Sequence, residues 1–261
     1  MSFRDKVVAV TGAAGGIGQA LCRRFAAEGA RIAALDKSDA LSAFMAGYWA
    51  RDVKSAHAVV DVGDRSAVAE AFAGLSHALG PVSVLVNNAG FSSHPTFART
   101  TPDSWQHEVN GNLNSAYYCA HAVIDGMKAN GGGVIVAIGS VNGLGALGDP
   151  AYSAAKAGLI SLTRSLAVEY GRFNIRSNIV LPGTVRTPLW KIRAAKDPSV
   201  LETLRKWYPL GRIVDPEDVA AAVAFLSSDA AAAISGVALP VDCGLTAGNI
   251  VMARELTLEN F

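Results

Sequence analysis

Residues 7–18 read Val-Val-Ala-Val-Thr-Gly-Ala-Ala-Gly-Gly-Ile-Gly, an apolar β-branched run followed at once by a glycine-rich turn. The run predicts a buried strand, and a helix is predicted from about Gly16. Glycines let backbone N–H groups approach a pyrophosphate, to which the N-terminus of a helix adds a partial positive charge. The spacing Gly12-x3-Gly16-x-Gly18 differs slightly from the G-x-G-x-x-G fingerprint. The stretch predicts a dinucleotide site.

Apolar β-branched runs alternate with amphipathic stretches along the rest of the chain. Strands are predicted at 7–11, 31–36, 56–62, 82–87, 134–140, 175–181 and 237–241. Helices are predicted between them, including one long helix over 102–127 and another that begins near Tyr152. This alternation predicts an α/β fold, a Rossmann-type doubly wound parallel sheet of about seven strands with helices on both faces. We expect residues 1–261 to form a single domain.

The composition favours a protein with a large apolar interior and a small-molecule partner over a protein that binds nucleic acid or a membrane. Hydrophobic residues make up 51% of the 261 positions, and 23 basic and 22 acidic residues leave a net charge of +1 without long runs. This balance gives no electrostatic footprint for nucleic acid or an anionic membrane, so a small-molecule partner is favoured. No stretch reaches the roughly 18 apolar residues of a membrane helix. The N-terminus also lacks the apolar core of a signal peptide.

The three cysteines are Cys22, Cys119 and Cys243. Their odd number and wide spacing indicate reduced interior thiols rather than disulfides or metal ligands. We therefore expect a cytoplasmic protein with no metal site.

Ligands on a doubly wound sheet bind beyond the carboxyl ends of the strands, where the winding reverses. Asp36 ends the second predicted strand, where its carboxylate is suited to accept both hydroxyls of an adenosine ribose. It would repel a 2′-phosphate, which favours NAD over NADP. Two observations leave alternatives open: Asp36 beside Ser38 also suits a helix N-cap, and Lys37 is able to pair with a phosphate.

Two further strand ends carry candidate cofactor contacts. Asp61 and Val62 follow the third strand, where the pair is suited to bracket an adenine ring. Asp61 is equally suited to cap the next helix. Asn87-Asn88-Ala89-Gly90 ends the fourth strand. A structural role for the two asparagines, bracing adjacent strands, is as well supported as direct ligand contact.

Tyr152 and Lys156 are four residues apart, which places a phenol and an ammonium on one face of a helix. A neighbouring cation favours phenolate and lowers a tyrosine pKa from its usual value of about 10. The pair therefore suits proton transfer, although an ordinary helical surface pair has the same spacing. Ser140 lies just upstream, at the end of an apolar run.

Five motifs occur in order: Thr-Gly-x3-Gly-x-Gly, Asn-Asn-Ala-Gly, a strand-end serine, Tyr-x3-Lys and Pro-Gly-Thr-Val-Arg-Thr at 182–187. Together they closely resemble the short-chain dehydrogenase/reductase family, from Val7 to about Gly248. The resemblance implies Tyr152 as general acid/base and Lys156 as the residue that lowers its pKa and holds the nicotinamide ribose. It implies Ser140 as the hydrogen-bond partner of the substrate oxygen. Asn112 matches the asparagine that kinks the long helix and anchors a relay water, with Asn110 as the competing register.

The same resemblance implies a cofactor site. Its positions here are Gly12, Ala14, Gly16, Ile17, Gly18, Asp36, Asp61, Val62, Asn88, Ala89, Gly90, Tyr152, Lys156, Pro182, Gly183, Val185 and Thr187. One departure concerns Ser140 and Tyr152, which are twelve residues apart, one fewer than is commonest in the family. Glycines at 143, 145 and 148 make the intervening loop adaptable, so we expect the loop to absorb the difference.

Residues 188–211 resemble the family's substrate-covering lid. Leu189 and Trp190 from this lid, with Ser140, Asn142 and His94 opposite, are the predicted substrate pocket; for His94 a surface or packing role is favoured over catalysis. Aromatic residues of the lid are equally suited to its own core. The absence of a basic cluster favours a neutral, largely apolar alcohol or ketone.

The tail 247–261 extends beyond the family's usual end and is apolar, so we expect it to pack on a neighbouring subunit. The family commonly forms tetramers through the helix that carries the tyrosine, and Ala154, Ala155, Ala157 and Gly158 suit close helix packing. A homotetramer is therefore expected.

Three functions are consistent with the sequence. The leading one is an NAD-dependent alcohol dehydrogenase or ketone reductase, and its nearest rival is a 3-oxoacyl thioester reductase. A non-catalytic nucleotide sensor of the same fold is disfavoured, because a sensor has no need of Tyr152 and Lys156 together.

Overall fold

Seven parallel strands form one sheet in the computed structural model of the chain, which describes residues 2–48, 53–188, 195, 197 and 199–259. The strands are β1 Val7–Thr11, β2 Arg31–Asp36, β3 Ser55–Val59, β4 Val84–Asn87, β5 Gly133–Ile138, β6 Ile175–Pro182 and β7 Ala238–Val241. Their order is β3-β2-β1-β4-β5-β6-β7, and each neighbouring pair is parallel. The winding reverses between β1 and β4, which places the switch point at the ends of these strands. The predicted fold class is confirmed.

Helices connect the strands on both sides of the sheet. They are α1 Gly16–Ala27, α2 Ala40–Tyr48, α3 Arg65–Leu79, α4 Pro102–Val109, α5 Ser115–Ala129, α6 Pro150–Tyr170, α7 Val200–Arg205, α8 Pro216–Ser227 and α9 Ile250–Thr257. In the part of the chain that the structure describes, no helix combines the length and the apolar character needed to cross a membrane.

The core lies on both faces of the sheet because successive residues of a strand point to opposite sides. In β1, Val8 and Val10 belong to the apolar layer that packs on α1 and α8. Val7 and Ala9 belong to the opposite layer, beneath α3 and α5. All five residues of β1 are consequently buried, which is the continuous apolar pattern of a central parallel strand.

The long helix predicted over 102–127 is not continuous, and its interruption lies at Asn112, where the family resemblance implies a kink. A π-helical turn, Asn110–Asn114, separates α4 from α5. Within this turn the buried Asn112 amide donates to the Glu108 carbonyl, so a side chain supplies the hydrogen bond that replaces a regular backbone contact. The turn therefore changes the direction of the Asn112 side chain, and the chain continues directly into α5.

Two predicted strands end earlier than expected. β3 ends at Val59 rather than at 62, and β5 ends at Ile138 rather than at 140. In each case a polar side chain just beyond the strand accepts a hydrogen bond from the backbone two residues later: Asp61 from Gly63, and Ser140 from Asn142. These local turns compete with the strand ladder and stop it.

Candidate active site

A cleft of about 1190 Å³ opens at the carboxyl ends of β4, β5 and β6, beside the switch point. Ser140, Tyr152 and Lys156 all line it, together with the predicted pocket residue Asn142. The chain therefore brings these four side chains, from the loop after β5 and the first two turns of α6, to one wall of one cavity.

Lys156 is fully enclosed at the base of this wall. Its ammonium donates to the Ile138 carbonyl at 2.9 Å, and its Nζ lies 5.4 Å from the centroid of the Tyr152 ring. Burial lowers the pKa of Lys156 to about 8, because the charged form loses its hydration. The cation is thus held rigidly, one helical turn from the phenol.

The pKa of Tyr152 differs from the sequence-based expectation. Desolvation raises it above the ordinary value, a hydrogen bond with Ser140 acts in the opposite direction, and the charge of Asp149 raises it further. The net lowering of the Tyr152 pKa that the sequence predicts therefore does not occur in the free protein. The reason is physical: burial removes water from the phenolate, and this cost exceeds what the neighbouring hydroxyl supplies.

The short loop before Tyr152 is closed by a tight 3₁₀ turn, Val141–Gly143. Ser140 precedes this turn, and its Oγ accepts from the Asn142 N–H at 3.1 Å. A Cβ at Gly143 would lie 3.0 Å from the Lys156 carbonyl carbon, so only glycine lets the turn pack this closely on α6. Ser140 consequently reaches Tyr152 despite the twelve-residue spacing.

Asn112 lies behind the catalytic wall and is 1% exposed. Its Nδ2 donates to the Phe91 carbonyl at 2.8 Å, and its Oδ1 accepts from the Phe91 N–H at 3.2 Å. A Cβ at Gly90 would lie 2.6 Å from Asn112 Oδ1 and 3.1 Å from Lys156 Nζ, so both groups flank one backbone position. Asn110, the competing register, instead donates to the Gly63 carbonyl. Asn112 is thus the asparagine near the lysine.

The glycine turn after β1 is folded so tightly that two of its positions have no room for a side chain. Gly12 has φ +64°, and a Cβ there would lie 2.9 Å from the Ala89 Cα. A Cβ at Gly18 would overlap the Gly12 carbonyl oxygen. Helix α1 begins after Gly15, which offers no side-chain cap, and has no acidic residue in its first turn. Its first N–H groups are therefore available to an anion such as a pyrophosphate.

Asp36 is linked directly to this turn. One carboxylate oxygen accepts from the Ala14 N–H at 2.9 Å and the other from the Ser38 N–H at 2.9 Å. Helix α2 begins only at Ala40, so the alternative of Asp36 as its N-cap is wrong. The Lys37 Nζ lies 5.3 Å from the Phe91 ring centroid.

Asp61 is exposed, and its Oδ1 accepts from the Gly63 N–H at 2.9 Å. The N-cap of α3 is Asp64, which accepts from the N–H groups of Ser66 and Ala67. The alternative of Asp61 as a helix cap is therefore wrong. Val62, in contrast, is buried in the layer beneath α3.

The two asparagines after β4 brace the switch point. Asn88 Nδ2 donates to the carbonyls of Thr11 and Gly12 at 2.9 and 3.0 Å, which ties β4 to the glycine turn. Asn87 Nδ2 donates to the Ala116 carbonyl on α5. Asn88 also lines the cleft, so the structural role does not preclude ligand contact.

The predicted cofactor residues divide into two groups. Those that line the cleft are Ile17, Asn88, Gly90, Tyr152, Lys156, Pro182, Gly183, Val185 and Thr187. Those outside its lining are Gly12, Ala14, Gly16, Gly18, Asp36, Asp61, Val62 and Ala89, which follow β1, β2, β3 and β4 along the same edge of the sheet. The two groups meet at the glycine turn.

The predicted substrate pocket is corrected in one place. His94 does not line the cleft; its Nδ1 lies 3.5 Å from Oε1 of the buried Glu108, because the loop after β4 turns that ring towards α4. Leu189 and Trp190 lie outside the described residues. Within the predicted lid, Trp207 and Tyr208 do line the cleft, and the Tyr208 hydroxyl accepts from the Thr184 N–H at 2.8 Å.

Some cleft residues escaped the sequence analysis. They are Asp149, Thr184 and the turn that carries Leu245, Thr246, Gly248 and Asn249. The turn is held by Asp242, whose Oδ2 accepts from the Thr246 N–H and Oγ1. A signal was present, because Asp242 directly follows the last strand, and strand ends are where ligand sites of this fold lie.

Comparison with known proteins places the chain in a family. A family model described as enoyl-(acyl carrier protein) reductase matches residues 12–246. An oxidoreductase of the short-chain dehydrogenase/reductase family from Burkholderia thailandensis has 52% identity, 98% coverage of both chains and a TM-score of 0.92.

Two curated proteins are also similar. An uncharacterised oxidoreductase of Schizosaccharomyces pombe is 42% identical over 100% of this chain and 98% of its own. A 3-oxoacyl-[acyl-carrier-protein] reductase of Pseudomonas aeruginosa is 39% identical, over 94% of this chain and 99% of its own. The fold, the clustered Ser140, Tyr152 and Lys156 and these matches agree: the chain belongs to the short-chain dehydrogenase/reductase family of oxidoreductases.

Proposed function

We propose that the protein catalyses reversible hydride transfer between NAD(H) and a secondary alcohol or ketone. The observation that carries the proposal is the grouping of Ser140, Tyr152 and Lys156 on the wall of a cleft that adjoins the glycine turn. A proton-transfer group and a dinucleotide cradle at one site are what alcohol oxidation requires.

The residues present fit a dinucleotide. At Gly12 and Gly18 a Cβ would collide with backbone atoms, so glycine lets this turn fold tightly ahead of α1, and the uncapped start of α1 offers N–H groups to phosphates. Asp36 supports NAD over NADP, because a carboxylate at the end of β2 repels a 2′-phosphate. When bound, the nicotinamide would accept or supply the hydride.

The proton is handled by Tyr152. In oxidation its phenolate takes the alcohol proton, and in reduction its phenol returns one to the carbonyl oxygen. Ser140, hydrogen-bonded to Tyr152, donates to the same substrate oxygen and stabilises negative charge there, an effect worth about 3 kcal/mol for a single donor. Lys156 and the positive charge of oxidised nicotinamide both favour the phenolate. Asn112 hydrogen-bonds the Phe91 backbone and so fixes the chain beside Gly90, which Lys156 also flanks.

The lining of the cleft favours a neutral substrate. Among its described residues Lys156 is the one cation and Asp149 the one acid. The apolar part of the lining comprises Leu144, Leu147, Leu204, Trp207 and Leu245. Such a surface suits a small, partly apolar alcohol or ketone better than a substrate that carries several negative charges.

A 3-oxoacyl thioester reductase is the second candidate. It is favoured by the family model and by the P. aeruginosa relative, both of which are described as acting on acyl carrier protein substrates. The reacting groups would be the same, and only the cleft's contacts with the substrate would differ.

The test follows NADH formation or loss at the nicotinamide absorbance band, with NAD(H) and NADP(H) in parallel. The panel contains secondary alcohols, sugars, their ketones and 3-oxoacyl thioesters. Turnover of a simple secondary alcohol or its ketone, faster than of any thioester, supports the leading function. Preference for the thioester supports the second, and failure of every substrate with measurable NADH binding would leave a nucleotide sensor.

We also propose a cytoplasmic homotetramer. On α6, Ala154 and Ala157 are exposed and Val168 is 83% exposed, which leaves a partly apolar face for a second subunit. Ala155 and Gly158 do not belong to this face: Ala155 is buried, and Gly158 packs on Leu113. Light scattering coupled to size exclusion measures the assembly.

A further inference from the structure

Asp149 lies at the start of the helix that carries Tyr152, and its role in the cleft is not explained by proton transfer. It is the residue before α6, three positions ahead of Tyr152, and it lines the cleft on the same wall. The charge of Asp149 also raises the pKa of Tyr152, so the carboxylate lies within electrostatic range of the phenol. A substrate held by Tyr152 therefore lies within reach of the carboxylate.

The backbone of Asp149 is fixed in an uncommon conformation. Its φ of 49° and ψ of 67° are left-handed, a region that costs free energy for any residue with a Cβ. The Asp149 N–H donates to the Pro95 carbonyl at 3.1 Å, and its carbonyl accepts from the Ser153 N–H at 2.8 Å. Both backbone polar groups of Asp149 are thus satisfied, and these two hydrogen bonds hold its backbone in place.

The carboxylate itself is not used by the fold. It makes no side-chain cap at α6 and has no hydrogen bond or salt bridge with any described part of the chain. Other aspartates next to helices do cap: Asp64 accepts two N–H groups at the start of α3. Aspartate is one of the few residues with a Cβ that tolerate this conformation, so Asp149 fits the backbone here while its carboxylate stays available to a ligand.

The neighbouring polar groups do not donate hydrogen bonds to the Asp149 carboxylate. Asn142 Nδ2 donates to the Ser153 hydroxyl and to the Gly148 carbonyl, and Lys156 Nζ donates to the Ile138 carbonyl. An ionised carboxylate is an acceptor only, so its partner has to be a donor. Asp149 is partly exposed, so water donates to its carboxylate in the free protein, and a hydroxyl of a bound substrate would take the place of that water.

We infer that Asp149 is a specificity-determining residue that accepts a hydrogen bond from a second hydroxyl of the substrate, on the carbon next to the reacting one. The preferred substrates are therefore vicinal diols and the corresponding α-hydroxy ketones rather than simple alcohols. This inference rests on the proposed function and adds the substrate class. The same carboxylate would repel a substrate carboxylate at that position.

A matched pair of alcohols tests the inference: cyclohexane-1,2-diol and cyclohexanol, each oxidised with NAD⁺. We expect the wild-type kcat/KM to be at least about tenfold higher for the diol, as a site built for a polar group discriminates strongly. In Asp149→Asn this ratio should fall about tenfold, because charge-assisted hydrogen bonds are about twice as strong as neutral ones. Asparagine tolerates the left-handed conformation, so the backbone should be kept.

Two further variants make the result decisive. Asp149→Gly adopts φ 49° without strain and lacks the carboxylate, so it should give the same loss of preference if Asp149→Asn is unstable. Asp5→Asn is the control, because Asp5 also has a positive φ, of 67°, but is absent from the cleft lining. Its ratio should equal that of the wild type.

The outcomes separate this inference from the proposed function. If the wild type oxidises neither alcohol nor any other on the panel, the proposed function fails. If it oxidises both and the ratio is the same in wild type, Asp149→Asn and Asp149→Gly, the function stands and the role of Asp149 is overturned.

Discussion

The Lys156 ammonium lies 5.4 Å from the centroid of the Tyr152 ring, in a position where water is excluded from it. The two residues respond to burial in opposite directions: the pKa of Tyr152 is raised and that of Lys156 is lowered to about 8. In both cases burial disfavours the charged form. At pH 7 this costs stability only for Lys156, which is buried in its charged form, since Tyr152 is neutral in both the folded and the unfolded chain.

Replacing Lys156 should reveal this cost. Its pKa in the folded protein is below the ordinary 10.5, so the unfolded chain binds more protons between about pH 8 and 10.5 and stability rises with pH there. Lys156→Met removes the penalty at pH 7, and we expect the free energy of unfolding to increase by about 2 kcal/mol, after allowing for the hydrogen bond lost to Ile138. The gain should shrink towards pH 10.

Urea unfolding at pH 7 and pH 10 without cofactor measures this effect. The exposed Lys54 provides the control, since Lys54→Met should change stability little at either pH. A Lys156→Met variant that is less stable at pH 7, or equally more stable at both pH values, would contradict the account.

Tyr152→Phe should lower turnover by about 10³-fold or more, because the ring remains while the transferable proton is lost. Cofactor affinity should be largely retained, as measured by NADH fluorescence titration. Tyr117→Phe, at a half-exposed position on α5, is the matched control and should keep full activity. Retained activity in Tyr152→Phe would remove Tyr152 from the mechanism.

Alcohol oxidation should accelerate with pH. Burial raises the pKa of Tyr152 in the free protein, so below this pKa each unit of pH changes the phenolate fraction tenfold. The logarithm of kcat/KM should rise with a slope near one from pH 6 to about 8. Above about 8 the slope should decrease, as Lys156 loses the proton that favours phenolate. A profile that is flat across this range would contradict Tyr152 as the base.

The sheet was predictable because its signals are local. Each strand is a short β-branched run, and the polar residues after β1, β2, β4 and β5 mark strand ends, where parallel folds bind ligands. Asp36, Asn88 and Ser140 were found in this way. The distance along the chain between Ser140 and Tyr152 was also informative, since it set the length of the loop that the structure closes with one 3₁₀ turn.

Features that depend on distant contacts were not predictable. The hydrophobic pattern of the helix does not show the π turn at Asn110–Asn114, which only the family resemblance indicated, because Asn112 is satisfied by Phe91, twenty-one residues earlier, as well as by Glu108. His94 is turned from the cleft by Glu108, on another element. The direction of the Tyr152 pKa shift follows from packing density, and spacing along a helix carries no information about that.

The glycine turn gives a steric prediction. A Cβ at Gly18 would overlap the Gly12 carbonyl oxygen, so Gly18→Ala has to displace the turn that receives the pyrophosphate. We expect at least about a hundredfold loss of NADH affinity, together with a lower melting temperature. Gly74→Ala is the control, since nothing lies within 4 Å of its Cβ position on α3. That variant should bind NADH normally and be slightly more stable. Unchanged NADH binding by Gly18→Ala would contradict the placement of the cofactor.

Asp36 determines which dinucleotide is used, if the carboxylate meets the ribose as proposed. Its two oxygens accept from Ala14 and Ser38, which orients the side chain while a ribose hydroxyl shares its remaining lone pairs. Asp36→Asn keeps the shape and removes the charge that repels a 2′-phosphate. The wild type should favour NAD, and in the variant the ratio of kcat/KM for NAD to that for NADP should fall at least about tenfold. Asp39→Asn, three residues further along and exposed, should leave the ratio unchanged. A wild-type preference for NADP would contradict this role of Asp36. It would instead indicate that a cation near the end of β2 binds the 2′-phosphate, and Lys37→Ala would test Lys37 as that cation.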